Sequence, residues 1–363
     1  MVDGDVLAIA LTMIALALSL YALGFVCTAP SPLSAGKITS IVVYPLKSAR
    51  GVSVSSAKLD ARGLAYDRLW MVVDERGAFM SQRRAPKLAL VEVQLPSAPD
   101  EPLHVSAPGA QPLSIPVVHA GASRQVRCWD DRCVGIDQGD AAATWFQDYL
   151  GVEGVRLVRM PDEEKRYCAR KYAPSDSTTA FSDGFPVLLA SDASLAEVNA
   201  RLEARGKPSI PMNRFRPNLV ISGSGAFAED GWSAIQVDCG GAASVSFGVV
   251  KPCARCKMPT IDQTTGVPDG RASACATQGT VDDDNEGGGP LAEAEPTATL
   301  RTFRSGKALG FVKQGWKADV FFGQNLTVPL SAADSVLTVG DTVVATPRRR
   351  RGWFSSGIAG VDY

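Results

Sequence analysis

Histidine is scarce in this chain: only His104 and His119 occur among its 363 residues. Hydrolases with a Ser-His-Asp triad, histidine-rich zinc enzymes and HExxH proteases all need histidine in a recognisable sequence context. Neither residue lies in such a context. The sequence therefore argues against those three classes of enzyme, and we interpret both histidines as structural.

The chain also lacks an excess of charge of either sign. It has 37 basic and 38 acidic residues, and 45% of its residues are hydrophobic. A nucleic-acid-binding protein usually carries a basic surplus, and a disordered chain has fewer apolar residues. The composition predicts a folded globular protein that has no nucleic acid partner.

A disulfide framework is absent as well. The cysteines are sparse and irregularly spaced, and they do not resemble the dense pattern of small secreted domains. We interpret them as mostly reduced thiols in a compartment like the cytosol. The eight cysteines lie at positions 27, 128, 133, 168, 239, 253, 256 and 275.

Charge is missing over one long run near the N-terminus, from Val6 to Val26. A bilayer-spanning helix needs about 20 apolar residues, so residues 1–26 are predicted to be a membrane anchor. A cleaved secretory signal would begin with basic residues, whereas Asp3 and Asp5 are acidic. The first basic residue, Lys37, follows the run, which places the rest of the chain on the cytosolic side of the membrane.

After a Pro/Ser/Gly-rich linker over residues 27–36, short β-branched runs predict a fold dominated by strands. In "DRLWMVVDERGAFMSQR", Gly77 is expected to supply the turn of a β-hairpin. The stretch "AAATWFQDYLG" predicts one amphipathic helix. A second helix is predicted in "SDASLAEVNARLEARG", with Ser191 or Asp192 as its N-cap and Gly206 at its end.

Two segments carry charge without apolar periodicity. Residues 271–294 are rich in acidic residues, Gly and Pro, and they predict a surface insert to which we assign no chemistry. Residues 347–363 form a basic tail, which we interpret as solvated, with contact to anionic lipid headgroups as the alternative.

The stretch "KPCARC" raises three possibilities for Cys253 and Cys256. A zinc site needs two more ligands, and Cys128 and Cys133 would have to reach this pair across the fold. A thioredoxin-like pair needs a following helix, but Pro259 comes soon after. A single thiolate ligand is the favoured interpretation, because Arg255 adjoins it and further arginines suited to phosphate groups occur elsewhere, namely Arg68, Arg214 and Arg216.

Extended geometry also predicts that the two cysteines differ. Successive side chains of a strand point to opposite faces, so Cys253 and Cys256 should face opposite sides. One thiol would then meet a cofactor while the other packs into the core. Asp262 is a candidate proton donor, although a role in a turn is favoured.

Several ordered motifs resemble the mitochondrial amidoxime reducing components, which are molybdenum enzymes built from a MOSC domain and an N-terminal β-barrel partner. The resemblance covers residues from about 37 to about 345. It implies an α+β, strand-dominated fold with an N-terminal MOSC-type β-barrel domain over 37–180 and a MOSC β-barrel domain over 181–346, preceded by a single transmembrane helix. The matching motifs are "YPLKS", "DRLW", "FSDGFP", "ASLAEVNARL", "RFRPNLVISG", "CARC" with "TIDQTTG", and "FGQN".

The resemblance implies a molybdenum cofactor, Mo-molybdopterin, with Cys256 as the protein ligand of the metal and the catalytic residue. Ala254 stands where some relatives have serine, and Gly184 and Phe185 match positions that contact the cofactor largely through the backbone. The full set of implied cofactor-binding residues is Lys47, Ser48, Arg68, Gly184, Phe185, Arg216, Asn218, Ala254 and Arg255.

The implied activity is the reduction of N-hydroxylated compounds such as amidoximes and hydroxylamines, with nitrite as a further candidate substrate. Electrons would come from NADH through cytochrome b5 reductase and cytochrome b5, and cofactor delivery proteins would supply the molybdenum cofactor. The implied location is the outer mitochondrial membrane, with the catalytic part facing the cytosol. The alternatives are a cofactor-binding or sulfuration module without reductase activity, and a membrane-tethered structural β protein.

Overall fold

The computed structural model describes residues 13, 32–240, 244–269, 294–311 and 313–348. The predicted anchor, apart from residue 13, lies outside these residues, as do nearly all of the acidic insert and the tail beyond residue 348. Within the described part of the chain, no helix has the length and apolar character needed to cross a membrane.

Strands dominate the described residues, as the sequence predicts. They are β1 Leu33–Val43, β2 Val52–Val54, β3 Ser56–Asp60, β4 Gly63–Leu64, β5 Trp70–Val73, β6 Glu92–Val93, β7 Leu103–Ala107, β8 Ala110–Ile115, β9 Ser123–Cys128, β10 Asp131–Asp137, β11 Arg156–Arg159, β12 Arg166–Tyr167, β13 Thr178–Thr179, β14 Val187–Ser191, β15 Leu219–Ser222, β16 Trp232–Asp238, β17 Ser244–Ala254, β18 Phe321–Thr327, β19 Val336–Thr338 and β20 Thr342–Pro347.

Helices are few. The α-helices whose bounds fall within the described residues are α1 Asp140–Leu150, α2 Asp192–Ala204 and α3 Thr297–Arg304. Short 3₁₀ helices cover Pro86–Leu90, Met212–Arg214, Ala228–Gly231, Met258–Thr260, Gln314–Trp316 and Leu330–Ala332.

A closed seven-stranded barrel is the larger of the two parts. Its strands follow the order β15-β14-β18-β17-β16-β20-β1, and pairing of β1 with β15 closes the ring. Buried Val, Ile, Leu and Phe side chains from these strands fill its interior. The first strand, β1, therefore joins a barrel whose other strands all come from the C-terminal half of the chain. It also begins at Leu33, inside the stretch predicted to be a linker.

The closure depends on one glycine. Strand β1 pairs with β20 over its first residues and with β15 further on, and the change occurs at a bulge near Gly36. Gly36 has φ +104°, and a Cβ atom there would lie 1.6 Å from the carbonyl oxygen of Ser222. Because no L side chain fits so close to a backbone oxygen, this position requires glycine.

A second, smaller part packs beside the barrel. It combines a four-stranded sheet, β5-β11-β10-β9, with a three-stranded sheet, β6-β7-β8. Helix α1 buries Phe146 in their shared hydrophobic core. The predicted hairpin after β5 is confirmed in a short form: Gly77 has φ +75°, and Phe79 returns to pair with Val73 by a single bridge.

Both predicted helices are confirmed, and the structure decides how the second one begins. The Ser191 side chain accepts a hydrogen bond from the backbone N–H of Ser194, so Ser191 is the N-cap of α2. Val198 and Leu202 are buried along one face of this helix. Gly206, with φ +68°, follows its C-terminal end as expected.

Candidate functional site

A cavity with about 780 Å³ of empty volume, counting its open mouth, lies where loops of the smaller part meet the end of the barrel. All ten residues predicted for the cofactor site line it. The sequence separates these residues by up to 209 positions, so their convergence is a property of the fold. They are Lys47, Ser48, Arg68, Gly184, Phe185, Arg216, Asn218, Ala254, Arg255 and Cys256.

Backbone hydrogen bonds fix the loops around the cavity. The N–H of Lys47 donates to the Trp70 carbonyl at 2.8 Å, and the N–H of Arg68 donates to the Tyr44 carbonyl at 2.6 Å. The N–H of Phe181 then donates to the Arg68 carbonyl at 3.0 Å. Three loops that are distant in sequence are thereby tied together beside the cavity.

Unusual backbone conformations concentrate at the same place. Ser48, Arg68, Trp129 and Arg216 have φ values of 69°, 49°, 58° and 56°, and all four line the cavity. Residues other than glycine rarely adopt positive φ, and such strained positions cluster at functional sites. This concentration marks the cavity as the candidate functional site independently of the sequence motifs.

The cavity wall is strongly cationic. Five basic side chains and one carboxylate, Asp183, line it, and the buried carboxylate of Asp67 pairs with Arg68 behind the wall. Because guanidinium groups bind anionic oxygens bidentately, this concentration of basic side chains suits an anion with several charges. The basic residues are Lys47, Arg68, Arg83, Arg216 and Arg255.

Asp183, the carboxylate that lines the cavity, forms an ion pair with Lys47. The Lys47 ammonium donates to the Asp183 carboxylate at 2.6 Å and to the Phe181 carbonyl at 2.8 Å, and the Trp129 indole N–H donates to the same carboxylate at 3.1 Å. Desolvation raises the pKa of Asp183, but the charge of Lys47 and these two donors outweigh it and hold the pKa far below its usual value. Asp183 is therefore ionised at neutral pH.

A buried polar network positions Arg68. The Arg68 guanidinium pairs with the carboxylate of Asp67, whose side chain is 1% exposed. It also donates to the Asn218 side-chain oxygen at 3.0 Å, and the Asn218 amide N–H donates to Asp67 at 2.9 Å. Since every member has a partner inside the network, the guanidinium of Arg68 is held in one orientation toward the cavity.

One aromatic ring joins two of the arginines. The guanidinium carbons of Arg68 and Arg216 lie 4.2 Å and 4.3 Å from the centroid of the Tyr44 ring, and the Tyr44 hydroxyl donates to the Pro217 carbonyl at 3.1 Å. Burial, reinforced by the neighbouring charge of Arg68, lowers the pKa of Arg216 to about 10. Arg216 remains charged at neutral pH, and Tyr44 stabilises the close approach of two like charges.

Both thiols of "CARC" line the cavity. The expectation that one of them packs into the core is wrong, because Cys253 is partly exposed and accepts a hydrogen bond from the Arg255 guanidinium at 2.9 Å. Strand β17 has irregularities near Val249 and Pro252 and ends at Ala254, so strict alternation does not extend to Cys256.

Burial is the largest influence on the Cys256 thiol and raises its pKa, while the guanidinium groups of Arg83 and Arg255 act in the opposite direction. The backbone N–H of Met258 lies 3.5 Å from the Cys256 sulfur. A thiol of this kind keeps its proton at neutral pH until a cation or metal replaces it.

Two residues considered from the sequence lie elsewhere. Arg214 does not line the cavity; its guanidinium pairs with Asp262 at 2.8 Å. The Asp262 carboxylate also accepts hydrogen bonds from the backbone N–H groups of Thr264 and Thr265. Asp262 thus has the turn role that the sequence favoured, and Arg214 serves that turn.

The remaining described cysteines bind no common centre. Cys128 and Cys133 are buried in a hydrophobic cluster with Phe79 and Phe181, and the six described cysteines are all free thiols. Over residues 32–240, 244–269, 294–311 and 313–348, no three His, Cys, Asp or Glu side chains gather as metal ligands.

Among the polar or aromatic wall residues that sequence reasoning missed are Arg83, Trp129, Asp183 and Asn325. Asp183 and Asn325 lie inside two of the quoted motifs, "FSDGFP" and "FGQN", so the motifs contained a signal for them. Arg83 and Trp129 come from turns of the smaller part. The Arg83 guanidinium carbon lies 4.4 Å from the Trp129 ring centroid, a contact that no sequence spacing reveals.

Comparison with known domain families identifies the class of protein to which this fold belongs. Residues 35–153 match the MOSC N-terminal beta barrel domain, and residues 176–344 match the MOSC domain. A closed barrel with a cationic cavity at the junction of the two matched regions thus defines a MOSC-domain protein with its N-terminal partner domain.

Curated relatives narrow the class to one family. Mitochondrial amidoxime-reducing component 1 of Mus musculus is 33% identical over 243 residues, which cover 64% of this chain and 68% of the relative. Mitochondrial amidoxime reducing component 2 of Bos taurus is 34% identical, with 64% and 69% covered. Mitochondrial amidoxime-reducing component 1 of Xenopus laevis is 27% identical over 327 residues, with 86% and 83% covered. The chain belongs to the family of mitochondrial amidoxime-reducing components, as the motifs predicted.

Proposed function

We propose that this protein is a membrane-anchored reductase of N-hydroxylated compounds that uses a molybdenum cofactor. The observation that carries the proposal is the cavity, which combines two thiols, Cys253 and Cys256, with five cationic side chains; the family motif selects Cys256 as the metal ligand. Thiolates are ligands of soft, sulfur-bound metals, and guanidinium groups bind phosphate oxygens bidentately. A phosphorylated, dithiolene-bearing cofactor satisfies both requirements together.

In this proposal the Cys256 thiolate would be the protein ligand of the molybdenum. Lys47, Arg68 and Arg216 would hold the phosphate and other anionic groups of the pterin, with Arg255 beside the ligand. The concentration of these basic side chains on one wall supports this assignment, since a polyanion could interact with several of them at once. When bound, the cofactor supplies the oxygen-atom transfer chemistry, while the protein binds and orients it.

The overall reaction needs two electrons and two protons. A substrate R–NH–OH accepts both, the N–O bond breaks, an N–H bond forms, and water leaves. We assign the electrons to NADH, delivered through cytochrome b5 reductase and cytochrome b5, and include nitrite as a further candidate substrate. The relatives named as mitochondrial support a mitochondrial location, and the apolar run from Val6 to Val26 supports anchoring in the outer membrane with the cavity facing the cytosol.

Metal analysis and turnover test this proposal on the purified full-length protein. We expect about one molybdenum and one pterin for each chain, and reduction of benzamidoxime with reduced benzyl viologen as the electron donor. Cofactor binding without turnover would favour the alternative of a cofactor-binding or sulfuration module. A protein that keeps no molybdenum after reconstitution with the cofactor would refute both.

A further inference from the structure

A cluster of lysines surrounds two stacked aromatic rings, of which Tyr172 is partly exposed and Trp316 is buried. The rings of Tyr172 and Trp316 are stacked with centroids 6.0 Å apart. The Lys251 ammonium lies 5.3 Å from both centroids, and the Lys313 ammonium lies 5.7 Å and 4.9 Å from them. Lys171 lies 5.6 Å from the Tyr172 ring. We call these five residues the lysine patch.

The lysine patch has no counter-charge of its own. Lys313 donates to the Tyr172 hydroxyl at 2.9 Å, but none of its three lysines has a carboxylate of the described residues within 4.0 Å. Elsewhere in the chain Lys47 and Lys58 form such pairs at 2.6 Å and 2.7 Å. Lys171 and Lys313 are exposed. Among the described residues, the two exposed lysines of the patch therefore carry positive charge without a paired carboxylate.

Neighbouring residues extend the charge. The backbone N–H of Lys307 donates to the Lys317 carbonyl at 3.1 Å, which brings two further exposed lysines together in the same loop region as Trp316. Between residues 305 and 319 the sequence has three lysines and one carboxylate, Asp319, so this stretch carries a net charge of +2.

The lysine patch is connected directly to the cavity. Lys251 lies on β17 opposite Asn325, and Asn325 lines the cavity. Trp316 packs against Phe321 with ring centroids 5.7 Å apart, and Phe321 pairs with Ala254, which also lines the cavity. The aromatic pair is thus linked to the cavity wall through Phe321 and its backbone pairing with Ala254.

We infer that the lysine patch is the docking surface for an acidic protein that delivers electrons one at a time to the cavity. The inference rests on the proposed function, which needs two electrons for each turnover. Complementary charges raise the rate of encounter and fix the orientation of a transient redox partner. The aromatic pair then lies between that partner and the cavity.

The test replaces two exposed patch lysines with glutamate, Lys171→Glu and Lys313→Glu, in the full-length protein loaded with cofactor. Reduced cytochrome b5 is the electron donor. In the double variant, KM for this donor should be about tenfold higher or more, and KM should depend much less on salt concentration. Rates with reduced benzyl viologen should stay unchanged. Lys207→Glu, at an exposed lysine after α2, is the matched control and should leave KM unaltered.

Substitution of the same two lysines by glutamine should give a smaller increase in KM. This gradation would show that the effect comes from the changed charge and not from misfolding of the variant. An unchanged KM for cytochrome b5 in the glutamate variant would overturn the inference. If that variant also bound phosphatidylserine vesicles more weakly, the patch would be a lipid-binding surface instead. If the unsubstituted protein had no benzyl viologen activity, the proposed function itself would fail.

Discussion

Replacing each cysteine of "CARC" by alanine separates the roles of the two thiols. Both line the cavity, but only Cys256 matches the proposed metal ligand. Cys256→Ala removes the only thiol proposed to bind the metal, so we expect no benzamidoxime turnover and a much lower molybdenum content. Its free energy of unfolding should change by only about 1 kcal/mol, as for other small side chains.

Cys253→Ala should weaken cofactor binding only moderately, because the substitution removes one of two hydrogen bonds of the Arg255 guanidinium. The variant loses the sulfur that accepts from Arg255 at 2.9 Å, but the Arg255 guanidinium keeps its bond to the Phe215 carbonyl at 2.8 Å. Loss of one such hydrogen bond costs about 0.5–1.5 kcal/mol. If all of this cost appears in cofactor binding, affinity falls by about twofold to tenfold.

The assay combines three measurements on each variant: metal and pterin content, turnover with reduced benzyl viologen, and the midpoint of urea unfolding. Cys239→Ala, at a partly buried thiol that does not line the cavity, is the matched control and should match the unsubstituted protein in the first two. An active Cys256→Ala protein together with an inactive Cys253→Ala protein would refute the assignment of the ligand.

Substitutions at three further positions give additional tests, at Asp67 and Tyr44 beside the cavity and at Glu229 beside the N-terminus of α2. Asp67→Ala leaves the Arg68 guanidinium without its buried carboxylate, and we expect a loss of about 3 kcal/mol in urea unfolding; a loss below about 1 kcal/mol would contradict a structural ion pair. Tyr44→Leu removes the ring shared by Arg68 and Arg216 and should lower the molybdenum content, whereas Tyr44→Phe should retain it; equal contents in both variants would exclude a role for the ring. Burial raises the pKa of Glu229 to about 7 from a usual value of 4.5. Its stabilising effect is therefore complete below about pH 4.5 and is lost as pH rises through 7. Glu229→Gln should flatten the difference in unfolding midpoint between pH 5 and pH 8, and an unaltered difference would show that another group is responsible.

The sequence by itself determined the ends of helix α2, because those ends depend only on neighbouring residues. The N-cap of α2 and the glycine after it follow from hydrogen bonds and φ values within a few positions of the helix ends. The ten cavity residues were found because each lies in a short motif that resembles a known family. Such motifs preserve chemistry without describing how distant segments meet.

Only the tertiary structure decided how the barrel closes and which side chains reach the cavity. Strand β1 closes a barrel with strands more than 140 residues away, and that pairing depends on the close approach of Gly36 to Ser222. Arg214 and Arg216 look equivalent in sequence, but only Arg216 adopts positive φ and reaches the cavity. Cys253 faces the cavity because irregularities in β17 interrupt the alternation of its side chains. Each outcome depends on long-range packing and backbone irregularity, which neither composition nor periodicity encodes locally.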